Sequence, residues 1–308
     1  MNWSGVMPAM TTAFDGDLAV DHNFMARHAQ WLLANGCSGL VMLGSLGEGA
    51  TLDAAEKVAI LKNMVKTVAE RAPVVAAISS LSTGHAVTLA KEAEQAGCSG
   101  LMVLPPYVYS TDWREMKQHV SAIIAATPLS CMLYNNPVAY TTDFLPEQIA
   151  KLSREHANLA AVKESSADIR RVAAIRAVLA DRIEILVGVD DVVVEAVGAG
   201  ARGWIAGLVN AFPAESVKLF RGAVEGDFES VFPLYRWFLP LLRMDTLPRF
   251  VQLIKWVQAE VGVGSARVRG PRLELAGAEL AAAQDTLKTA LRERARIEEV
   301  PFPRSGDA

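Results

Sequence analysis

Eight short apolar runs, each four to six residues long and separated by stretches of helical length, constrain this chain more than any other feature of it. They lie around residues 6–10, 39–43, 74–78, 101–104, 130–133, 159–162, 183–187 and 203–206. A strand that is apolar at every position must be covered on both faces, so these runs predict a parallel sheet packed by helices. Residues 54–69, 113–126 and 168–180 carry apolar positions at three- and four-residue spacing, the mark of amphipathic helices. The unit also repeats. Gly36-Cys37-Ser38-Gly39-Leu40-Val41-Met42-Leu43-Gly44 returns as Gly97-Cys98-Ser99-Gly100-Leu101-Met102-Val103-Leu104-Pro105, and residues 200–207 follow the same logic of helix end, glycine turn and short strand. Eight such units over residues 1–226 describe an α/β protein of the (β/α)8 TIM-barrel class. A doubly wound sheet fits less well, because no G-x-G-x-x-G follows the first strand.

Beyond residue 226 the strand pattern stops. Residues 227–295 read as a C-terminal helical domain, with helices around 228–244, 248–261 and 277–294, and residues 296–308, with two prolines, a glycine and several charges, read as a flexible tail. The balance of 30 basic against 34 acidic residues, without a run of five like charges, leaves no electrostatic footprint for nucleic acid or an anionic membrane. The N-terminus has neither the basic start nor the apolar core of a secretory signal, and no window approaches the roughly 18 apolar residues of a membrane span. A cytoplasmic protein acting on a small molecule is the expectation. Cys37, Cys98 and Cys131 sit in or beside strand-like runs without metal-ligand spacing, and read as buried reduced thiols.

In such a barrel the C-terminal ends of the strands meet at one mouth, so residues far apart in sequence can be taken together. Two strand ends carry groups that handle protons: Lys163 after Leu159-Ala160-Ala161-Val162, and Tyr134 before Asn135-Asn136-Pro137. A lysine at a strand end usually extends its ammonium into water, whereas one held in an apolar setting loses charge and becomes a nucleophile. The second strand ends in Gly44-Ser45-Leu46-Gly47-Glu48-Gly49, a turn whose backbone amides and Ser45 hydroxyl suit a carboxylate; no lysine follows to serve nucleotide phosphate. The fourth ends in Pro105-Pro106-Tyr107, which places a phenol near the mouth, and the seventh in Gly188-Val189-Asp190-Asp191, where an aspartate is expected to cap the next helix. All five histidines fall on predicted helices or their ends, which argues against a histidine-based site or metal centre.

Gly44-Ser45-Leu46-Gly47-Glu48, Tyr134-Asn135-Asn136-Pro137 and Val162-Lys163-Glu164-Ser165, in this order, resemble the dihydrodipicolinate synthase and N-acetylneuraminate lyase family of class I lyases. The likeness runs from residue 3 to about 290. It implies Lys163 as the amine that condenses with a 2-oxo acid, Tyr134 as the acid/base at the adjacent carbon, and Ser45 and Tyr107 as its relay partners. Leu46, Gly47, Asn136, Ala139, Gly188 and Ile205 would line the substrate pocket, with the Ile205 carbonyl near the lysine. The resemblance implies no cofactor and no metal, and a homotetramer built as a dimer of dimers in which the second tyrosine crosses an interface.

Two positions depart from the pattern. Ala139 stands where dihydrodipicolinate synthases carry an arginine for a substrate carboxylate, a contact whose loss costs about 2 kcal/mol or more. Leu46 replaces a threonine and removes a hydroxyl from the carboxylate turn. The run Tyr134-Asn135-Asn136-Pro137-Val138-Ala139-Tyr140, with Gly44-Ser45-Leu46-Gly47-Glu48 and Val187-Gly188-Val189-Asp190-Asp191, most resembles the catabolic branch of the family, which implies a lyase or deaminase acting on a small 2-oxo acid or cyclic imino acid, with 1-pyrroline-4-hydroxy-2-carboxylate deaminase of hydroxyproline catabolism as the specific expectation. A 2-keto-3-deoxy sugar-acid dehydratase or aldolase is the near alternative, dihydrodipicolinate synthase is disfavoured by Ala139, and a non-catalytic barrel that binds a 2-oxo acid is the alternative of another class.

Overall fold

A computed structural model describes residues 1–106, 112–294 and 301–303. Eight parallel strands form one sheet: β1 (Gly5–Pro8), β2 (Leu40–Met42), β3 (Val74–Ile78), β4 (Gly100–Val103), β5 (Ser130–Asn135), β6 (Leu159–Glu164), β7 (Glu184–Val187) and β8 (Gly203–Ala206). β1 pairs with β8 at one side of the ladder, and a bridge from Ala9 to Val41 joins β1 to β2, so the sheet closes into the (β/α)8 barrel predicted from the apolar runs. Most strand residues are buried, as a sheet with helices outside and side chains inside requires.

The helices begin where local chemistry starts them. Asp53 accepts from the Glu56 amide at 2.8 Å while the Glu56 carboxylate accepts from the Asp53 amide at 3.0 Å, a reciprocal cap on helix Ala54–Val68. The Asp112 side chain caps helix Trp113–Ala125, accepting from the amides of Arg114 and Glu115. After the barrel come helices Phe228–Leu242, Phe250–Glu260 and Gly277–Glu293, close to the predicted spans. Phe302, in the segment expected as a loose tail, packs against the rings of Phe24, His28 and Trp31. No helix among the described residues is long and apolar enough to cross a membrane, and the three cysteines are buried and unpaired.

One irregularity in the sheet aligns the two proton-handling side chains. Between β5 and β6 the register slips by one residue, from Cys131 opposite Leu159 to Met132 opposite Ala161, with Ala160 as the extra residue. The slip brings Tyr134 directly opposite Lys163.

Candidate active site

Lys163 and Tyr134 sit within their strands rather than just beyond them, because β5 runs on to Asn135 and β6 to Glu164. Paired across the ladder, their side chains meet inside the barrel: the Lys163 ammonium lies 4.2 Å from the centre of the Tyr134 ring. Both are buried, at 6% and 5% exposure. Burial pulls the Lys163 pKa down to about 8, against the opposing pull of Asp245 and Asp190. Burial likewise pushes the Tyr134 phenol up to about 12, although hydrogen bonding from Asn136 works the other way. An amine with pKa about 8 is neutral to roughly one part in ten at pH 7, against well under one in a hundred for a free lysine. The site therefore holds an amine with a sizeable neutral fraction beside a phenol.

Asn136 fixes the phenol. Its Oδ1 accepts from the Ala139 amide at 3.0 Å, which turns its Nδ2 toward Tyr134, and that nitrogen donates to the phenol oxygen at 2.9 Å. The same side chain caps the short helix Pro137–Tyr140, with proline at its first position. Ala139 is exposed on that helix and offers no charge there.

The turn after β2 is built under strain. Leu43 and Glu48 adopt left-handed backbone conformations, with φ of 66° and 54°, and Gly49 is required because a Cβ there would lie 2.1 Å from the Leu43 carbonyl oxygen. Among the described residues the amides of Leu46 and Gly47 have no hydrogen-bonding partner in the protein, so they remain available to an anion. Ser45, half-buried, hydrogen-bonds the hydroxyl of Tyr140, whose ring packs edge-on against Tyr134 at 5.8 Å. Ser45 thus reaches the phenol side of the mouth through Tyr140, a residue to which the sequence assigned no role. Tyr107, expected as the other relay member, lies outside the described residues.

The wall next to Lys163, at the ends of β7 and β8, carries acids. Asp190 does not cap the helix that follows it, as its position after a glycine suggested. Its carboxylate crosses to the end of β8 and accepts from Trp204 Nε1 at 2.9 Å and from the amides of Gly207 and Leu208 at 3.1 and 2.8 Å. Burial pushes its pKa up to about 6 in spite of these donors. Ile205 lies in β8 two residues before the glycine so held. Asp191 turns outward to Arg243, at 3.6 Å. Asp245, from the turn that follows helix Phe228–Leu242, lies over Gly207, where a Cβ would come within 1.9 Å of its Oδ1. Burial and the nearby charge of Asp190 hold its carboxyl well above the usual carboxylate range, while Lys163 pulls the other way. Nothing in the local pattern around Asp245 marks it, since it owes its place to the packing of the C-terminal helices against the barrel.

The C-terminal segment also anchors the turn after β2. Glu48, fully buried, accepts from Lys255 Nζ at 2.7 Å and from the Arg269 amide at 3.0 Å, and Lys255 also donates to the Thr12 carbonyl at 2.9 Å. Among the described residues no group of three or more His, Cys, Asp or Glu is placed to hold a metal ion.

A buried amine facing a phenol, with a free-amide turn at one side, matches a lysine Schiff-base site, and comparison with known proteins decides the family. The Dihydrodipicolinate synthetase family model matches residues 2–290. The chain belongs to this family. A 4-hydroxy-tetrahydrodipicolinate synthase of Bacillus subtilis is 30% identical over 243 residues, 79% of this chain and 84% of the relative. The structure of the 4-hydroxy-tetrahydrodipicolinate synthase of Methylacidiphilum fumariolicum SolV superposes with a TM-score of 0.91 at 26% identity, covering 95% of this chain and 97% of that one. An Escherichia coli K12 prophage protein of the dihydrodipicolinic acid synthase family, solved in complex with pyruvate, gives 0.88 at 25% identity, covering 94% and 98%. Members of the dihydrodipicolinate synthetase family are class I lyases, and this chain is an enzyme of that Schiff-base type.

Proposed function

We propose that Lys163 forms the Schiff base, that Tyr134 moves the proton at the adjacent carbon, and that the substrate is a small 2-oxo acid or cyclic imino acid without a distal carboxylate. The observation that carries this is the buried Lys163 ammonium 4.2 Å from the Tyr134 ring, in an environment that lowers the amine's pKa to about 8. The free amides of Leu46 and Gly47 would take the substrate's 1-carboxylate. Tyr134 first gives its proton to the carbinolamine oxygen, which leaves as water; in the iminium that results, the C–H bond at the neighbouring carbon breaks, its electron pair forms the enamine, and the proton returns to the Tyr134 phenolate oxygen.

For the distal end, exposed Ala139 offers no cation, while Asp190 and Asp245 stand behind the wall formed by the ends of β7 and β8, close enough to act on Lys163. A group that donates hydrogen bonds suits that wall, and a carboxylate does not. This supports 1-pyrroline-4-hydroxy-2-carboxylate as the substrate: Lys163 attacks the imine carbon, the 4-hydroxyl leaves with a proton, and hydrolysis releases ammonia and 2,5-dioxopentanoate. Overall one water is consumed for each ammonia released. The synthase reaction, named for the relatives, is the second reading. Ser45, Tyr140 and Tyr107 would carry protons to and from Tyr134, with Tyr107 supplied across a dimer interface of a homotetramer.

Incubation with pyruvate, borohydride reduction and peptide mapping should give an adduct at Lys163 that is absent from Lys163→Ala. Absence of an adduct with every 2-oxo acid would defeat the mechanism. Ammonia release from the hydroxypyrroline carboxylate, compared with turnover of 2-keto-3-deoxy acids and of pyruvate with aspartate semialdehyde, then separates the substrates.

A further inference from the structure

Ser165 is 2% exposed, and among the described residues its hydroxyl oxygen meets no partner in hydrogen-bonding geometry. A buried hydroxyl is ordinarily satisfied, and one left open beside reacting groups calls for a reason. Two residues beyond Lys163 along the strand direction, Ser165 projects to the same side, while Glu164 between them points the other way and binds Asn135 and the Ser166 amide. The backbone there is fixed, since the Ser165 amide donates to the Asn135 carbonyl at 2.8 Å and the Gly188 amide to the Glu164 carbonyl at 2.9 Å.

Gly188 shows how closely the two side chains share space. A Cβ on it would lie 2.1 Å from Ser165 Oγ and 2.2 Å from Lys163 Cε, so the serine hydroxyl and the lysine stem rest against one bare stretch of backbone. Burial pushes the Tyr134 pKa up, while Asn136 and then the Ser165 side chain draw it down. Asn136 already donates to that phenol, with its orientation set by the Ala139 amide, so the phenol's own proton needs an acceptor elsewhere. On the β2 side the turn offers Leu46, 3% exposed, which has no hydroxyl.

We infer that Ser165 is a positioning residue for the proton transfer of Tyr134, supplying from the β6 side a hydroxyl that Leu46 cannot. When Tyr134 is protonated, Ser165 Oγ accepts its hydrogen bond and holds the phenol in place beside the reacting carbon. When Tyr134 has given up its proton, the Ser165 hydroxyl rotates and donates to the phenolate. The transferred proton moves between Tyr134 and the carbon next to the iminium, and Ser165 ends each cycle with the proton it began with.

The inference rests on Lys163 forming the Schiff base, and one substrate tests both separately. Pyruvate in deuterium oxide reports iminium formation by borohydride trapping, and enamine formation by exchange of its methyl protons, followed by NMR. Ser165→Ala is expected to trap pyruvate at Lys163 to the wild-type extent while exchange slows about tenfold or more, and Ser165→Thr to recover most of the exchange. Normal trapping with unchanged exchange in Ser165→Ala would overturn the inference alone. Equal loss of trapping and exchange in a variant that keeps its wild-type melting temperature would place the serine on the amine and overturn it too. No trapping in the wild-type protein would overturn the Schiff-base reading and this inference with it.

Discussion

The two walls of the mouth are built on different principles. On the β5–β6 wall, Tyr134 and Lys163 are adjacent because neighbouring strands pair in register, and their spacing depends on backbone hydrogen bonds and a single extra residue, Ala160. On the adjoining β7–β8 wall Asp190 crosses to β8, and Asp245 arrives from the C-terminal helical segment more than fifty residues further along the chain. The first wall is local geometry carrying reactive groups. The second is long-range docking that sets the field those groups experience. Perturbing the first should abolish chemistry, and perturbing the second should retune or loosen it.

The largest effect expected is at Lys163. Lys163→Ala removes the covalent step, so kcat should fall by about 10⁴-fold or more while the chain still folds. Steady-state turnover together with circular dichroism checks this; residual activity within tenfold of wild type would mean that the amine is not the nucleophile. Tyr134→Phe keeps the ring that packs against the ammonium and removes only the hydroxyl. Turnover should drop about 10²–10⁴-fold with borohydride trapping retained. Loss of trapping would show that the phenol acts earlier than proposed.

Lys255→Met tests how firmly the helical domain holds the turn after β2. Both ends of the Lys255–Glu48 pair are almost fully buried, at 2% and 0% side-chain exposure, so removing the amine leaves the interior carboxylate with only the more distant Arg272 guanidinium, at 3.9 Å, to offset its charge. The expected cost is about 3–5 kcal/mol, read from urea unfolding. Arg269 still donates its amide to Glu48, which argues for the lower end. A loss below about 1 kcal/mol would mean the turn stands without the extension.

How legible each wall is in the sequence depends on the same division. Strand β3 and strand β8 fall where the apolar runs placed them, because a run of buried aliphatic residues between glycine or proline breaks has few other solutions. Lys163 and Tyr134 can be named because the barrel rule collects strand ends at one mouth. Ser165 is within reach of the same rule, since a residue two positions from a catalytic strand residue shares its face. Asp190 reads as a cap, wrongly, because the sequence shows the helix that follows it but not the β8 turn to which its carboxylate crosses. Tyr140 shows the same limit: its role depends on an edge-on contact with Tyr134 and a hydrogen bond to Ser45, ninety-five positions away. Asp245 and the Lys255–Glu48 pair depend wholly on how two regions dock, and periodicity carries no record of that.

Asp245→Asn gives the smallest effect and the sharpest test of the second wall. The negative charge of Asp245 raises the Lys163 pKa, opposing the larger drop caused by burial. Removing that charge lets the amine's pKa fall further below about 8, so the neutral, nucleophilic form gains population at a given pH. The rate of Schiff-base formation rises as pH climbs through the amine's pKa, and in the variant this rise should begin at lower pH. Asp245 is itself held well above the usual carboxylate range by burial and the nearby charge of Asp190, so it ionises less readily than an ordinary aspartate and its pull on Lys163 is weakened. The shift should therefore be less than about one pH unit, equivalent to under about 1.4 kcal/mol. The pH dependence of single-turnover trapping with pyruvate measures it directly. A shift toward higher pH would mean that the amide, by hydrogen bonding or repacking over Gly207, matters more than the charge. The division between a reacting wall and a tuning wall would then fail at the residue that defines it.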